Sequence, residues 1–328
     1  MCGPVDYSQP AYFRQNSGNF FLDDVMRLIH LTDPHLSSLE PFSFLTVKGK
    51  RKSGYLSWYR KRQYIHRPEI LERLTQAVRD ESPDQILLTG DLVHIGLEDE
   101  IIEATRWLRR LGAPEQVMLI PGNHDNYAPD SLAAMNRHWC DYLPEQDVEI
   151  NDYTAAYPAV RIIGDLRLVG VNTSCVTRIF SAEGELGKAQ LSRLRDALRY
   201  PVSGPGSESL ERPEFTCLLI HHPPLPEMTK QRKALRDAGN LQLVIEEQQP
   251  DLILYGHLHC NRTAQYGEIR TFCTASASSV NDASYRVFDV EKMDDGWHCR
   301  MRLMSLEKNN GAGTRFRPAR ELSWIRAL

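Results

Sequence analysis

Residues 117–125 read VMLIPGNHD, four apolar residues followed by a cluster of glycine and polar side chains. A short, mainly apolar run followed by polar side chains occurs four more times, at 26–35 (MRLIHLTDPH), 85–91 (QILLTGD), 216–224 (TCLLIHHPP) and 252–259 (LILYGHLH). Short runs rich in Leu, Ile and Val predict buried strands. In α/β sheets, ligands bind beyond the carboxyl ends of the strands. The sequence therefore predicts five strand ends that bring their polar residues to one edge.

Further strands are predicted at 160–163, 167–171, 270–274 and 285–290, and helices at 68–81, 98–111, 130–139, 188–199 and 234–247. Strands that alternate with helices, followed by strand-dense sequence after residue 250, predict a layered α/β sandwich. We expect an N-terminal extension over 1–25, one catalytic domain over 26–306 and a C-terminal tail over 307–328. The Pro/Gly/Ser-rich stretch 201–214 is expected to be a surface loop.

The composition is that of a globular protein. The 328 residues are 41% hydrophobic, 25% charged and 9% aromatic, with a net charge of -4. These values exclude collagen, a coiled coil, a disordered chain and a disulfide miniprotein. The N-terminus lacks the pattern of a secretory signal, and the seven cysteines are scattered without a CxxC pair. We therefore expect a cytoplasmic protein.

The polar residues of the five strand ends are typical of metal ligands. Histidine nitrogens with Asp and Asn oxygens, and no thiolate, suit Mn, Fe, Co, Ni or Zn. The D-x-H and H-x-H spacings point alternate side chains the same way in an extended chain, and glycines 90, 122 and 256 allow sharp turns. Seven candidates exceed the need of one ion, which indicates two ions that share a carboxylate. The candidates are two Asp, one Asn and four or more His.

The blocks DPH, GD, GNHD, HHPP and GHLH, in this order over 33–259, resemble the calcineurin-like metallophosphoesterase superfamily and its bacterial cyclic-nucleotide phosphodiesterase branch. The resemblance implies a four-layer α/β/β/α double β-sandwich with a binuclear metal centre. It implies that one metal is held by Asp33, His35, Asp91 and His259. The second metal would be held by Asp91, Asn123, His221 and His257, with Asp91 bridging.

The resemblance also implies a reaction. A hydroxide that bridges the two metals, Mn or Fe first with Zn, Co and Ni as alternatives, would attack the phosphorus of a phosphodiester in line. His124 would face the phosphate or protonate the leaving oxygen, and Asp125 would orient His124. Only one of two adjacent histidines on a strand can face the metals. We expect His221 to be the ligand and His222 to support it.

The segment 48–67 (KGKRKSGYLSWYRKRQYIHR) has eight Lys/Arg and no acidic residue. It lies between the first two ligand blocks, so we expect an insertion near the mouth of the site. It is a solvated basic surface, or it captures an anionic substrate through Arg51, Trp58 and Arg62. A third interpretation is peripheral contact with anionic lipid at the inner face of the membrane.

Two other functions stay open at this stage. A pyrophosphatase acting on a nucleotide-linked lipid precursor such as UDP-2,3-diacylglucosamine would explain the basic and aromatic insertion. A non-catalytic scaffold on the same fold would have lost metal ligands, and none of the seven is missing here. The natural substrate and the oligomeric state are not determined by the sequence.

Overall fold

Two β-sheets lie at the centre of the computed structural model, which describes residues 11–12, 25–36, 38–144, 156–199, 215–309 and 313–327. The strands are β1 (Ala11–Tyr12), β2 (Met26–Leu31), β3 (Gln85–Leu88), β4 (Val117–Leu119), β5 (Ala159–Ile163), β6 (Leu166–Gly170), β7 (Phe215–Leu219), β8 (Leu252–Tyr255), β9 (Arg262–Tyr266), β10 (Ile269–Cys273), β11 (Ser284–Met293), β12 (Gly296–Asn309) and β13 (Gly313–Arg326). The helices are α1 (Lys50–Ser57), α2 (Gln63–Ile65), α3 (Pro68–Asp80), α4 (Glu98–Leu111), α5 (Ser131–His138), α6 (Gly187–Leu198) and α7 (Ala238–Gln248). A π-helical turn (Trp58–Arg62) joins α1 to α2, and a 3₁₀ turn (Gln231–Lys233) precedes α7.

Each sheet contains a parallel core. One sheet has the order β1-β5-β6-β7-β8-β10-β9, and the other has the order β13-β12-β11-β2-β3-β4. Strands β2, β3 and β4 are parallel, as are β6, β7, β8 and β10. The strands that precede the five predicted ligand blocks all belong to these parallel sets. Their carboxyl ends therefore point to the same edge of the sandwich.

Three apolar layers confirm the predicted four-layer α/β/β/α sandwich. In β2, Leu28 packs with residues of the other sheet, whereas Ile29 and Leu31 pack with helices α3 and α4. This alternation follows from the two-residue period of a strand. Helices α6 and α7 cover the outer face of the seven-stranded sheet, which contains β5 to β8. Because both faces of the central strands are buried, those strands are almost entirely apolar.

The ends of the chain differ from the sequence prediction. Residues 11–12 of the expected extension form β1, which pairs in parallel with β5. The prediction for 201–214 and the rest of the extension lie outside the described residues.

The predicted tail over 307–328 is wrong. Strand β13 pairs with β12 along almost its whole length and completes the sheet. Phe316, Leu322 and Trp324 pack against the core, and two of the six other residues between Phe316 and Trp324 are arginines, Arg317 and Arg320. Pro318 lies at a register shift in this edge strand, where the loss of an N–H donor is tolerated. The many arginines and the proline obscured the alternating pattern in the sequence.

The insertion 48–67 forms α1, the π-helical turn and α2. Its end is fixed to the body because the N–H of Arg67 donates to Ser278 and the N–H of Val280 donates to Ile65. No helix in the described ranges is long and apolar enough to cross a bilayer.

The layer between the sheets should dominate stability. Phe288 is buried there with its ring 5.2 Å from that of Phe272. Phe288→Ala is expected to lower the free energy of unfolding by about 3–5 kcal/mol, because it removes buried area and leaves a cavity. Chemical denaturation measures this value. Leu243→Ala, at a 59% exposed position of α7, serves as control and should change it by less than about 0.5 kcal/mol. Equal effects would contradict this assignment of the core.

Candidate metal centre

The predicted ligands lie on loops whose backbone is not extended. Asp33, His35, Asp91, His257 and His259 all have φ between 41° and 65°. This left-handed region is unfavourable for residues other than glycine, at a cost of about 1 kcal/mol or more each. The expectation that an extended D-x-H or H-x-H would align its two side chains is therefore wrong. Alternate left-handed residues, not a strand, direct these side chains inward.

Hydrogen bonds hold these loops in place. The N–H groups of Asp33, His35 and Leu36 donate to the carbonyls of Gly90, Asp91 and Leu92 at 2.8–3.1 Å, which extends the β2–β3 ladder into the loops.

Asp125 joins the GD loop to the GNHD loop. Its carboxylate accepts the N–H groups of Asp91 and Gly122 at 2.8 Å and that of Leu92 at 2.7 Å. The N–H of Val93 is a fourth donor, at 3.2 Å. We expected Asp125 to orient the His124 imidazole. Instead, both carboxylate oxygens are used by the backbone, so Asp125 positions the loops.

One group of donors surrounds Asp33. Its Oδ1 lies 3.0 Å from Nε2 of His259 and 4.0 Å from Nε2 of His35. The two imidazole Nε2 atoms are 3.3 Å apart, and Nε2 of His35 lies 3.9 Å from Oδ2 of Asp91. Two atoms bound to one divalent ion at about 2.1 Å lie roughly 3–3.5 Å apart. Asp33, His35, Asp91 and His259 thus have spacings close to those of ligands of one ion.

A second group of donors meets the same carboxylate. Nε2 of His221 lies 3.4 Å from Oδ2 of Asp91 and 3.2 Å from Oδ1 of Asn123. The ring of His257 is 5.2 Å from that of His221. The Oδ2 atom of Asp91 therefore faces both groups, as a bridging ligand must.

The adjacent histidines have different environments. Nδ1 of His221 is bonded to the carbonyl of Thr89, which directs Nε2 toward Asp91. Nδ1 of His222 is bonded to the hydroxyl of Thr173 at 2.7 Å. His222 also lies near His221 and His257, within a group whose nitrogens are less than 4.8 Å apart. Its supporting role stays a prediction.

The donor set fits two divalent cations. His222 Nε2 and His257 Nε2 are buried and have no hydrogen-bond partner among the described residues. Buried polar atoms without a partner are costly, and a cation would satisfy them. The centre also has no room for extra side chains. A Cβ on Gly122 would lie 2.3 Å from Oδ1 of Asp91, and one on Gly256 would lie 2.6 Å from Oδ2 of Asp33.

The ligands differ in their affinity for protons. Burial, followed by the neighbouring histidines, lowers the pKa of His35 and of His257 well below the usual value. At His221, burial opposes the charge, but Asp91 and Asp33 outweigh it and raise the pKa to about 9. Without cations, the two carboxylates thus keep a proton on His221.

His124 lies beside the centre with a basic neighbour. Its backbone N–H donates to Oδ1 of Asp91 at 2.7 Å, and its Nδ1 is bonded to the carbonyl of His94. Nη1 of Arg62 lies 3.1 Å from the same Nδ1. Because Nδ1–H is used by the carbonyl, Nε2 is the atom left for a substrate. Burial, and then Arg62, lower the pKa of His124.

Two of the three predicted substrate contacts are wrong. The guanidinium of Arg51 donates to the carbonyls of Ile95 and Gly96 and to the carboxylate of Asp130, which fixes the insertion to the body. Trp58 is only 4% exposed and packs in a small apolar cluster, so no base can stack on it. Arg62 is the predicted contact that the structure brings to the site.

Sequence reasoning missed His66. Its ring lies 4.5 Å from that of His35, and it groups with His35 and His259 as a set of possible metal ligands. Nδ1 of His66 is bonded to the hydroxyl of Ser278 at 2.9 Å, which fixes the ring. The available signal was its position four residues after Arg62, about one helical turn further along the insertion.

A family model described as calcineurin-like phosphoesterase matches residues 26–261. The chain belongs to this family. The match contains all seven predicted ligands together with His124 and Arg62. The family and the relatives named phosphodiesterases support hydrolysis of phosphoesters as the activity, and the family is metal-dependent.

Two curated relatives and one solved structure illustrate the similarity. The chain is 25% identical over 84% of its length to a cAMP/cGMP dual specificity phosphodiesterase of Mycobacterium tuberculosis and covers 74% of that protein. It is 28% identical over 57% of its length to a glycerophosphodiester phosphodiesterase of Enterobacter lignolyticus and covers 59% of that protein. A dimetal phosphatase of Danio rerio has the same fold, with a TM-score of 0.57 at 13% identity over 92% of this chain and 99% of that one.

The raised pKa of His221 predicts that metal binding releases a proton. At pH 7 this imidazole is protonated in the metal-free protein, and a cation must displace the proton because it binds the neutral ring. Saturation with Mn²⁺ should therefore release about one proton at pH 7, and the affinity should rise with pH up to about 9. Calorimetry in buffers of different ionisation enthalpy measures the release. His221→Gln should bind Mn²⁺ more weakly and release no proton, and zero release by the unaltered protein would contradict the assignment.

Proposed function

We propose that the chain hydrolyses phosphodiesters with two divalent cations, manganese or iron first, held by the seven residues predicted from the sequence. The observation that carries the proposal is the position of Asp91, whose Oδ2 faces His35 on one side and His221 on the other. A non-catalytic scaffold would not need this complete donor set, in which Nε2 of His257 is buried and has no hydrogen-bond partner among the described residues.

The roles of the residues follow from their positions. When bound, the cations would activate a water molecule and polarise the phosphoryl oxygens. Arg62 would bind the oxygens of the phosphate at the centre, since it lies beside His124 and forms no ion pair with a described carboxylate. The negative charge of a bound substrate offsets Arg62, so Nε2 of His124 gains a proton. His124 then gives this proton to the leaving oxygen.

The relatives favour cyclic nucleotides as substrates. The proteins of Mycobacterium tuberculosis and Synechococcus are named as a cAMP/cGMP phosphodiesterase and a probable cyclic nucleotide phosphodiesterase, and the second is 28% identical over 67% of this chain. The cavity beside His124, of about 280 Å³, is large enough to admit part of a small phosphodiester. We also propose a reducing location such as the cytoplasm, since the described cysteines are free thiols.

A specific observation supports a second substrate class, a nucleotide-linked lipid such as UDP-2,3-diacylglucosamine. The outer side of the insertion and the loop before it expose Leu45, Tyr59 and Tyr64, at 86%, 59% and 64%. The same stretch of chain also exposes Lys48, Lys52, Arg60 and Lys61. Exposed apolar and basic side chains together are typical of a surface that meets anionic lipid.

Two substitutions test the proposed chemistry. Asp91→Asn should abolish hydrolysis of bis-p-nitrophenyl phosphate and weaken metal loading, because both donor groups lose the shared charge. His124→Ala should retain both metals and lower kcat by about 10²–10⁴-fold, because it removes the proton donor. Absorbance of p-nitrophenolate and metal analysis of the purified proteins give the two values.

His298→Gln, at a position paired with the exposed Asp295, provides the matched histidine control. A fully active Asp91→Asn protein would overturn the metal centre. The same assay, repeated with 3′,5′-cyclic AMP, 2′,3′-cyclic AMP, UDP-2,3-diacylglucosamine and p-nitrophenyl phosphate, ranks the substrates. Preference for the monoester would overturn the diesterase assignment.

Sedimentation with vesicles tests the lipid surface. The protein should bind phosphatidylglycerol vesicles at low salt and release them at high salt, since the attraction is largely electrostatic. Replacing Leu45 and Tyr59 by Ser should reduce binding several-fold, whereas Leu243→Ser on α7 should not. Absence of binding by the unaltered protein would remove the lipid proposal and leave the hydrolytic one intact.

A further inference from the structure

The cavity beside His124 is strongly basic. Its wall includes Lys50 and Arg62 from the insertion and Arg232 and Lys233 from the 3₁₀ turn before α7. No Asp or Glu among the described residues lines it. Two segments that are far apart in sequence thus place four cationic side chains around a cavity of about 280 Å³.

These charges are not neutralised within the described part of the chain. None of the four side chains lies within 4.0 Å of a described carboxylate. The Nζ of Lys50 donates to the hydroxyl of Thr177 at 2.8 Å and lies 4.2 Å from the centre of the Tyr127 ring. Burial lowers the pKa of Lys50 to about 8, and burial followed by Arg62 lowers that of Lys233. An anion bound in the cavity would therefore reduce the repulsion between these side chains and favour the charged form of the two lysines.

A simple cyclic nucleotide would fit in this cavity but would leave most of its cationic side chains without an anionic partner. Its single negative charge lies on the phosphate at the metal centre, and Arg62 is already there to contact it. The three remaining cations would then face only uncharged parts of the substrate. Cationic side chains that converge on one cavity without acidic partners are typical of phosphate binding.

We propose that Lys50, Arg232 and Lys233 bind a second phosphate group of the substrate, close to the phosphate that is cleaved. This inference rests on the proposed function, because it places the first phosphate at Asp91. In the reaction, the oxygen of water bonds to the first phosphorus, and the bond from that phosphorus to the leaving oxygen breaks. His124 gives a proton to the leaving oxygen, and a proton of the attacking water replaces it. In a diphosphate the leaving oxygen belongs to the second phosphate, which departs as a phosphate, whereas in a phosphorylated diester the second phosphate is unchanged. The substrate class is therefore a diphosphate or a phosphorylated diester.

Competition between nucleotides tests the second site. The assay is inhibition of bis-p-nitrophenyl phosphate hydrolysis by the Mn²⁺-loaded full chain, with free Mn²⁺ held constant. α,β-Methylene-ADP, which has two phosphorus groups and resists cleavage between them, should inhibit at least tenfold more strongly than AMP. Replacing both Arg232 and Lys233 by Gln should reduce that ratio to about one. Lys50→Gln should reduce it separately, which keeps the test valid if the double variant does not fold.

Lys230→Gln is the matched control, because this exposed lysine is close in sequence but does not line the cavity. It should leave the ratio of the two inhibition constants unchanged. Equal inhibition by AMP and α,β-methylene-ADP, in a protein that hydrolyses the diester, would overturn the second site alone. A protein that does not hydrolyse the diester, but binds α,β-methylene-ADP more tightly than AMP in calorimetry, would overturn the proposed function alone. A variant that weakens both nucleotides equally would also overturn the second site, since it reveals only general attraction.

Discussion

The centre depends on backbone conformations that its residues do not prefer. Five ligands are left-handed, and the hydrogen bonds that compensate for this are concentrated at the GD loop and its neighbours. The Asp125 carboxylate alone accepts four N–H groups from two loops. Because these four bonds join two loops, they hold the donors in position before any cation arrives. The free energy needed to hold the unfavourable backbone conformations of the site is thus supplied by the folded chain.

The sequence predicted much of this arrangement because the pattern of apolar runs and the positions of the ligand blocks agree. Each ligand block follows a short apolar run, and parallel strands with both faces buried must be apolar along their length. The carboxyl ends of such strands meet at one edge, so Asp33, Asp91 and His221 could be brought together without any knowledge of the contacts. The four layers followed in the same way, from strands alternating with amphipathic helices.

Other features could not be predicted, because they depend on contacts between distant segments. Arg51 and Arg62 both lie in the basic insertion. The guanidinium of Arg51 nevertheless donates to carbonyls of the body, whereas that of Arg62 faces His124. Trp58 seemed available for stacking until the fold placed it against Leu39 and Ile95. Strand β13 was hidden because its alternation runs between arginines and is interrupted by Pro318. The local sequence pattern predicts a helix or strand well when packing in the core restricts its residues. The same pattern predicts edge strands and insertions poorly.

The two kinds of residue in the active site come from different parts of the chain. The metal donors follow strands that build the core, so a mutation that disturbs one of those loops endangers the whole molecule. The cations around the cavity come from the insertion and from a short turn, which add little to the core. Natural variation can therefore alter which molecules the protein accepts while the hydrolytic machinery is inherited intact. A lineage with this fold can thus acquire new substrates through changes confined to the insertion and the turn before α7.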